Sequence, residues 1–269
     1  MKIAALQTVS GPDVDANLAT ARDLLRQAAQ AGAELAVLPE YFCLMGQRDT
    51  DKLAVREPFG EGEVQSFLAQ AARESGLWIV GGTLPLAAND ANHVRNACLA
   101  YSPQGECVAR YDKIHLFRFD NGGEQYDESR VIEAGRMPQA FTLPSRDGHA
   151  WRVGLSVCYD LRFPELYRAL RADLLLVPSA FTYTTGQAHW EVLLRARAIE
   201  NLAYVAAPAQ GGRHPTGRRT WGHSLVVDPW GQLLAQREEE GCGVVLAELD
   251  AARVAEVRRQ LPALEHRVL

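Results

Sequence analysis

Short apolar runs alternate with amphipathic stretches along most of this chain. Residues 2–8 are an apolar run of strand length; residues 17–31 place Ala and Leu at helical spacing, with Gly32 as a stop. The same reading predicts a strand over 35–39 that ends in Pro-Glu and a helix over 62–76. Strands follow over 78–84 and 96–101. The turn Ser102-Pro-Gln-Gly105 then leads to a strand over 107–115, a hairpin pattern. Farther along, strands are expected over 153–157, 174–177, 203–207, 224–227 and 243–249, and helices over 164–170 and 189–202. Asp228-Pro-Trp-Gly231 reads as a turn within the last meander. This mixture of β and βα alternation implies an α/β or α+β chain whose sheets are covered by helices.

Two segments echo each other. Ala33-Glu-Leu-Ala-Val-Leu-Pro-Glu40 and Ala172-Asp-Leu-Leu-Leu-Val-Pro-Ser179 both run from a helix end through an apolar strand to proline and a polar residue. The echo suggests two similar halves packed sheet against sheet, although it is too short to establish duplication. With no linker, low-complexity tract or charge block, residues 1–269 read as one domain. Residues 117–136 have weak periodicity, and long irregular loops in compact domains tend to carry function.

Composition narrows the classes. Hydrophobic residues at 47% and charged residues at 23% lie in the globular range, and 269 residues suffice for a substantial core. A net charge of −5 gives no electrostatic case for nucleic acid or an anionic membrane as partner. The five cysteines are scattered with no CxxC pair, which argues against a disulfide framework and a zinc site and for a reducing, cytoplasmic setting. The N-terminus reads directly as a strand, without a signal region, and no run is long enough to span a bilayer.

The chemistry gathers where apolar strands end. Val153-Gly-Leu-Ser-Val-Cys158-Tyr-Asp-Leu-Arg-Phe-Pro-Glu165 passes from a strand into the polar start of a helix at the cysteine. Such a turn holds a nucleophile clear of the sheet with backbone N–H groups nearby. A buried structural thiol is the competing reading, since free cysteine is commonly buried. A catalytic thiol needs a base or a positive charge beside it. None of the seven histidines has a telling context. Glu40 and Lys113, by contrast, also end strand-like runs, and carboxylate, ammonium and thiol have complementary chemistry. Singly, a capping glutamate and a solvated lysine are the plainer readings.

Leu-Pro-Glu40-Tyr-Phe, Tyr-Asp-Lys113-Ile-His-Leu-Phe and the Cys158 segment resemble, in order and spacing, the three signature segments of the nitrilase superfamily of carbon–nitrogen hydrolases. The resemblance extends from Ala-Ala-Leu-Gln-Thr near the start to Gly-His-Ser-Leu-Val-Val-Asp-Pro-Trp-Gly231. Residues 178–182, 188–200 and the C-terminal Leu-Pro-Ala-Leu-Glu-His-Arg267 look most like the Nit branch, which includes deaminated glutathione amidases and, less closely, ω-amidases. The resemblance implies an αββα sandwich of two mixed sheets flanked by helices, assembled as a homodimer or higher oligomer with the 189–202 helix near the interface. It implies no metal and no organic cofactor. It implies that Glu40 is the general base, Lys113 the oxyanion stabiliser, helped by the Tyr159 backbone N–H, and Cys158 the nucleophile. The expected reaction converts a small carboxylated or α-keto amide, with deaminated glutathione favoured, to an acid and ammonia through a thioester. An ω-amidase, another carbon–nitrogen hydrolase acting on an N-carbamoyl amino acid or a nitrile, or a silent binding protein of the same fold are the alternatives.

Glu128 matches a second family glutamate that positions the lysine or substrate, while the preceding Asp120-Asn-Gly-Gly-Glu124 loop makes Glu124 the other candidate. Tyr41, Tyr159, Phe181 and Thr182 are candidates to line the pocket, as Arg213 is to meet a substrate carboxylate. Arg197 and Glu200 read as a structural ion pair on a helix.

Overall fold

The computed structural model describes residues 1–123 and 125–268. Two mixed sheets lie face to face between layers of helices. The first has seven strands, with Gly243–Glu248, Lys2–Gln7, Leu35–Val37, Trp78–Val80, Val94–Tyr101 and Leu84–Ala87 in spatial order and Cys107–Asp112 also paired to Val94–Tyr101. The second has six, in the order Leu233–Gln236, Leu225–Val227, Tyr204–Ala207, Leu174–Leu176, Ala150–Leu155 and Gln139–Pro144.

Alternation along the strands builds the layers. Ile3, Ala5, Leu35 and Val37 face the second sheet and share its core with Leu143, Trp151, Val153 and Leu155. Ala4, Leu6, Ala36 and Leu38 point the other way, onto the helices Val14–Gln30 and Glu63–Ser75. Leu18, Ala21, Leu25 and Ala28 supply the buried stripe of the first helix, whose N-cap Asp13 accepts the Ala16 N–H at 3.1 Å. Each buried leucine of that stripe contributes about 1.5–3 kcal/mol relative to exposure. Helices Pro164–Leu170 and Tyr183–Asn201 cover the outer face of the second sheet.

The two echoing segments occupy matching places. Leu35–Val37 is the middle of three parallel strands in the first sheet, and Leu174–Leu176 is the middle of three in the second. Each therefore delivers its Pro-polar exit to the same end of the sandwich.

Several boundaries differ from expectation. Residues 78–84 are not one strand: Trp78–Val80 and Leu84–Ala87 are separated by Gly81, Gly82 and Thr83. Gly82 has φ +52°, and a Cβ there would stand 1.9 Å from the Pro39 carbonyl oxygen, so close passage under the Glu40 turn forces the break. The helix expected over 189–202 starts at Tyr183, where Thr182 accepts the Thr185 N–H at 3.3 Å. Its first turns carry Thr-Thr-Gly and lack apolar periodicity; Gly186 is there because the Trp221 side chain lies against it. The strand Gln139–Pro144 was not foreseen; it lies at the sheet edge, where its proline is tolerated. The helix Ala251–Gln260 buries only Val254 and Val257, too thin a stripe for periodicity to register. Within 117–136, Arg118–Asp120 pairs with Gln125–Asp127, and a 3-10 turn at Glu128–Arg130 follows. Arg197 and Glu200 do form an ion pair, at 2.9 Å. No helix among the described residues is long and apolar enough to cross a membrane.

Candidate active site

Glu40, Lys113 and Cys158 each follow the end of a strand, and the fold brings them to one place. Glu40 leaves Leu35–Val37 through a turn in which Tyr41 has φ +58°, and the Thr83 hydroxyl accepts the Tyr41 N–H at 2.9 Å. Cys158 has φ +49° and opens the 3-10 turn Cys158–Arg162 beyond Ala150–Leu155, with its N–H donated to the Pro178 carbonyl at 3.0 Å. A non-glycine residue in the left-handed region is strained, and both such turns sit in the site. Lys113 continues Cys107–Asp112, held by its N–H to the Asn96 carbonyl at 3.0 Å.

The Lys113 ammonium is completely buried and meets two carboxylates, Glu40 Oε1 at 2.9 Å and Glu128 Oε2 at 2.8 Å. Glu40 Oε1 also accepts from Asn96 Nδ2 at 2.9 Å, and Oε2 accepts the Ala180 N–H from the opposite sheet at 3.0 Å. Glu128 accepts the Tyr41 hydroxyl at 2.8 Å and the Phe117 N–H at 2.7 Å.

Electrostatics assigns protons. Burial pulls the Lys113 ammonium down, but Glu128 and then Glu40 outweigh it, so the lysine is held above its ordinary value and stays charged. Burial pushes Glu128 up, and Lys113 overcomes this to keep it below the usual carboxylate range. Cys158 goes the other way: burial first, then the Glu40 charge and a hydrogen bond to it, raise the thiol well above its ordinary value, with Lys113 opposing. The resting arrangement is a neutral thiol beside an acceptor and a fixed cation. Such a site can deprotonate a thiol as it attacks and stabilise negative charge on the atom attacked.

A narrow cleft, open to solvent, leads to Glu40 and Cys158. Tyr41, Tyr159, Phe181, Thr182 and Glu128 line it as the sequence suggested. Arg213 does not: it is an exposed end of the strand Gly211–Arg213, paired in register with Arg219, and the hairpin turn instead brings Arg218 to the cleft. Glu124 lies outside the described residues.

Five cleft residues were not anticipated: Arg162, Arg218, Phe117, Ala180 and Thr185. Arg162 lies within the Cys158 segment, and its position four residues past the thiol was a usable signal. Asn96 and the Ala180 N–H, which hold Glu40, were also missed. Asn96, next to Arg95 at the start of a strand that is apolar from Ala97 on, is buried and so needs an internal partner, whereas a backbone N–H leaves no trace in sequence. Arg162 lies over the Tyr159 and Phe181 rings at 5.8 and 5.7 Å, and Arg218 over Tyr126 at 5.2 Å. Among the described residues neither guanidinium has a carboxylate within ion-pair distance, and Arg218 Nε is buried without a hydrogen-bond partner. No group of three or more His, Cys, Asp or Glu side chains among the described residues is arranged to hold a metal ion.

A relative from Synechocystis named deaminated glutathione amidase is 42% identical over 270 residues, spanning 98% of this chain and 97% of its own. An omega-amidase from Xenopus tropicalis is 35% identical over 99% of this chain and 94% of its own. The solved structure of the C. elegans NitFhit protein superposes with a TM-score of 0.88 at 37% identity, covering 99% of this chain and 65% of that longer one. The family model described as carbon-nitrogen hydrolase matches residues 2–259, a span that holds Glu40, Lys113 and Cys158 and both sheets. On this match the chain belongs to the carbon–nitrogen hydrolase family.

Proposed function

We propose that this chain is a thiol amidase in which Glu40 is the general base, Lys113 the oxyanion stabiliser and Cys158 the nucleophile. The observation that carries the reading is a buried ammonium that grips, at 2.9 Å, the Glu40 carboxylate, which lines one cleft together with the Cys158 thiol. Glu40 takes the thiol proton as sulfur attacks the amide carbonyl, and the carbonyl electron pair moves to oxygen beside Lys113 and the Tyr159 N–H. Collapse breaks the C–N bond, and Glu40 returns its proton to the departing amine. Water then gives a proton to Glu40 and attacks the thioester; the thiolate leaves and is reprotonated. A donor aimed at the oxyanion contributes about 10²–10³ in rate.

The substrate is a small amide bearing a carboxylate. Arg162 and Arg218, which have no carboxylate partner among the described residues, support this, since a substrate carboxylate would supply the partner that Arg218 Nε lacks. Deaminated glutathione is the favoured substrate, with support from the 42% identical relative of that name. Its scissile amide joins a 2-oxoglutaryl group to the amine of cysteinylglycine, so ammonia, the leaving group expected from sequence, would not be the product. Ammonia leaves only from a primary amide such as α-ketoglutaramate, the ω-amidase alternative. Both substrates give the same acyl-enzyme and differ only in the amine expelled.

Release of 2-oxoglutarate from both compounds, by wild type and Cys158→Ala, tests the reading. The expected result is turnover with higher kcat/KM for deaminated glutathione and none in the variant. Higher kcat/KM for α-ketoglutaramate would transfer the assignment to ω-amidase, and turnover by the variant would remove Cys158 as nucleophile.

A homodimer or larger assembly in a reducing, cytoplasmic setting completes the proposal. Val192 and Ile199, exposed at 70% and 46% on the helix Tyr183–Asn201, support a contact face, and the five free thiols support the setting.

A further inference from the structure

The described mechanism needs the Lys113 ammonium and the Cys158 sulfur at a fixed separation, yet they stand on strands of different sheets. One side chain spans the joint. Asp160 is completely buried, two residues past Cys158. Its Oδ2 accepts the Val157 N–H at 2.8 Å and the Tyr111 hydroxyl at 2.7 Å. Its Oδ1 meets the His115 N–H at 3.1 Å and His115 Nδ1 at 2.7 Å. Val157 immediately precedes the thiol, while Tyr111 and His115 bracket the lysine. The Tyr111 hydroxyl closes the loop by accepting the Ile114 N–H at 3.3 Å, and the Phe163 ring stacks on His115 at 3.7 Å.

We propose that Asp160 is a positioning residue that locks the Lys113 strand end to the Cys158 turn, with Tyr111 and His115 as its grips. The inference rests on the roles given to Lys113 and Cys158 above. All of the Asp160 partners act as donors once His115 carries its proton on Nδ1. Only a carboxylate offers enough lone pairs for them; an asparagine would turn an NH₂ group against two N–H or O–H donors. The lock holds geometry that matters at the oxyanion, where a displacement of about 1 Å costs about 10²-fold in rate.

The experiment measures kcat and KM for 2-oxoglutarate release by wild type, Asp160→Asn and Tyr111→Phe, each normalised to the sites titrated by iodoacetamide. Asp160→Asn should lose about 10²-fold in kcat per titrated site. Tyr111→Phe, which removes one bond and keeps the ring, should lose about fivefold. In both, KM should stay within about twofold, because the lock touches no substrate. A purely structural role would lower the number of titratable sites and leave kcat per site unchanged, and that result overturns the proposal. A rise in KM at constant kcat overturns it too. If Asp160→Asn does not fold, Tyr111→Phe decides. Cys158→Ala run alongside separates the two levels: activity there defeats the thiol mechanism itself, whereas wild-type kcat in the lock variants defeats only the lock.

Discussion

Burial and the adjacent Glu40 carboxylate together push the Cys158 thiol well above its ordinary value, against the opposing pull of Lys113. A thiol shifted this way keeps its proton through neutral pH, and the proposed mechanism has Glu40 take that proton during attack, unlike a cysteine ionised beforehand by an imidazolium. Alkylation by iodoacetamide follows the thiolate. With the thiol raised, its ionised fraction keeps growing as pH climbs, so the inactivation rate should rise without a plateau from neutral pH to about pH 9. A plateau below about pH 8 would show a preformed thiolate and contradict this proton assignment. At this scale Cys158 and Glu40 were legible as polar groups at the exits of apolar strands, whereas Lys113 follows the polar strand Cys107–Asp112 and was legible only by its place at a strand end and by the family resemblance. Arg218 was not, since sequence offered several arginines in one glycine-rich loop, and the choice depends on how the turn between Gly211–Arg213 and Arg219–Trp221 aims its side chains.

The elements place these groups through their irregular ends. Glu40 is held where it is because the chain breaks at Gly81 and Gly82 and passes directly beneath Pro39, letting Thr83 cap the Tyr41 N–H. Gly82→Ala introduces both a left-handed alanine and a clash with the Pro39 carbonyl. It should cost about 1–3 kcal/mol, read as a lower urea midpoint, and should lower kcat by displacing Glu40. Wild-type stability and kcat in that variant would mean the close passage has no part in shaping the site. Hydrophobic periodicity found the central strands and helices because their faces are fully buried. It ran one strand through the glycine break and missed the polar start of the helix Tyr183–Asn201, where capping by Thr182 and the fit of Gly186 against Trp221 replace an apolar stripe. The hairpin and 3-10 turn that deliver Glu128 were legible only as a long irregular loop.

Across the whole molecule, the site belongs to neither sheet alone. Glu40 and Lys113 come from the first, Cys158 and the Ala180 N–H from the second, and Ala180 donates to Glu40 across the seam at 3.0 Å. The paired Leu-Pro-Glu and Val-Pro-Ser exits foreshadowed this, since matching central strands deliver their polar ends to one edge. What the motifs did not announce was the seam itself, made by the Ala180 N–H and by Asp160: a backbone donor leaves no trace in sequence, and Asp160 stands in the cysteine segment as one more polar residue of its turn. The proposed mechanism requires that both candidate substrates pass through one shared acyl-enzyme at this site. Intact-mass spectrometry of acid-quenched enzyme, after mixing with deaminated glutathione or with α-ketoglutaramate, reads it directly. The predicted result is one and the same 2-oxoglutaryl adduct from both compounds, mapped to Cys158 and lost in Cys158→Ala. Steady turnover with no adduct on Cys158, or an adduct that persists in the variant, would contradict the thioester mechanism.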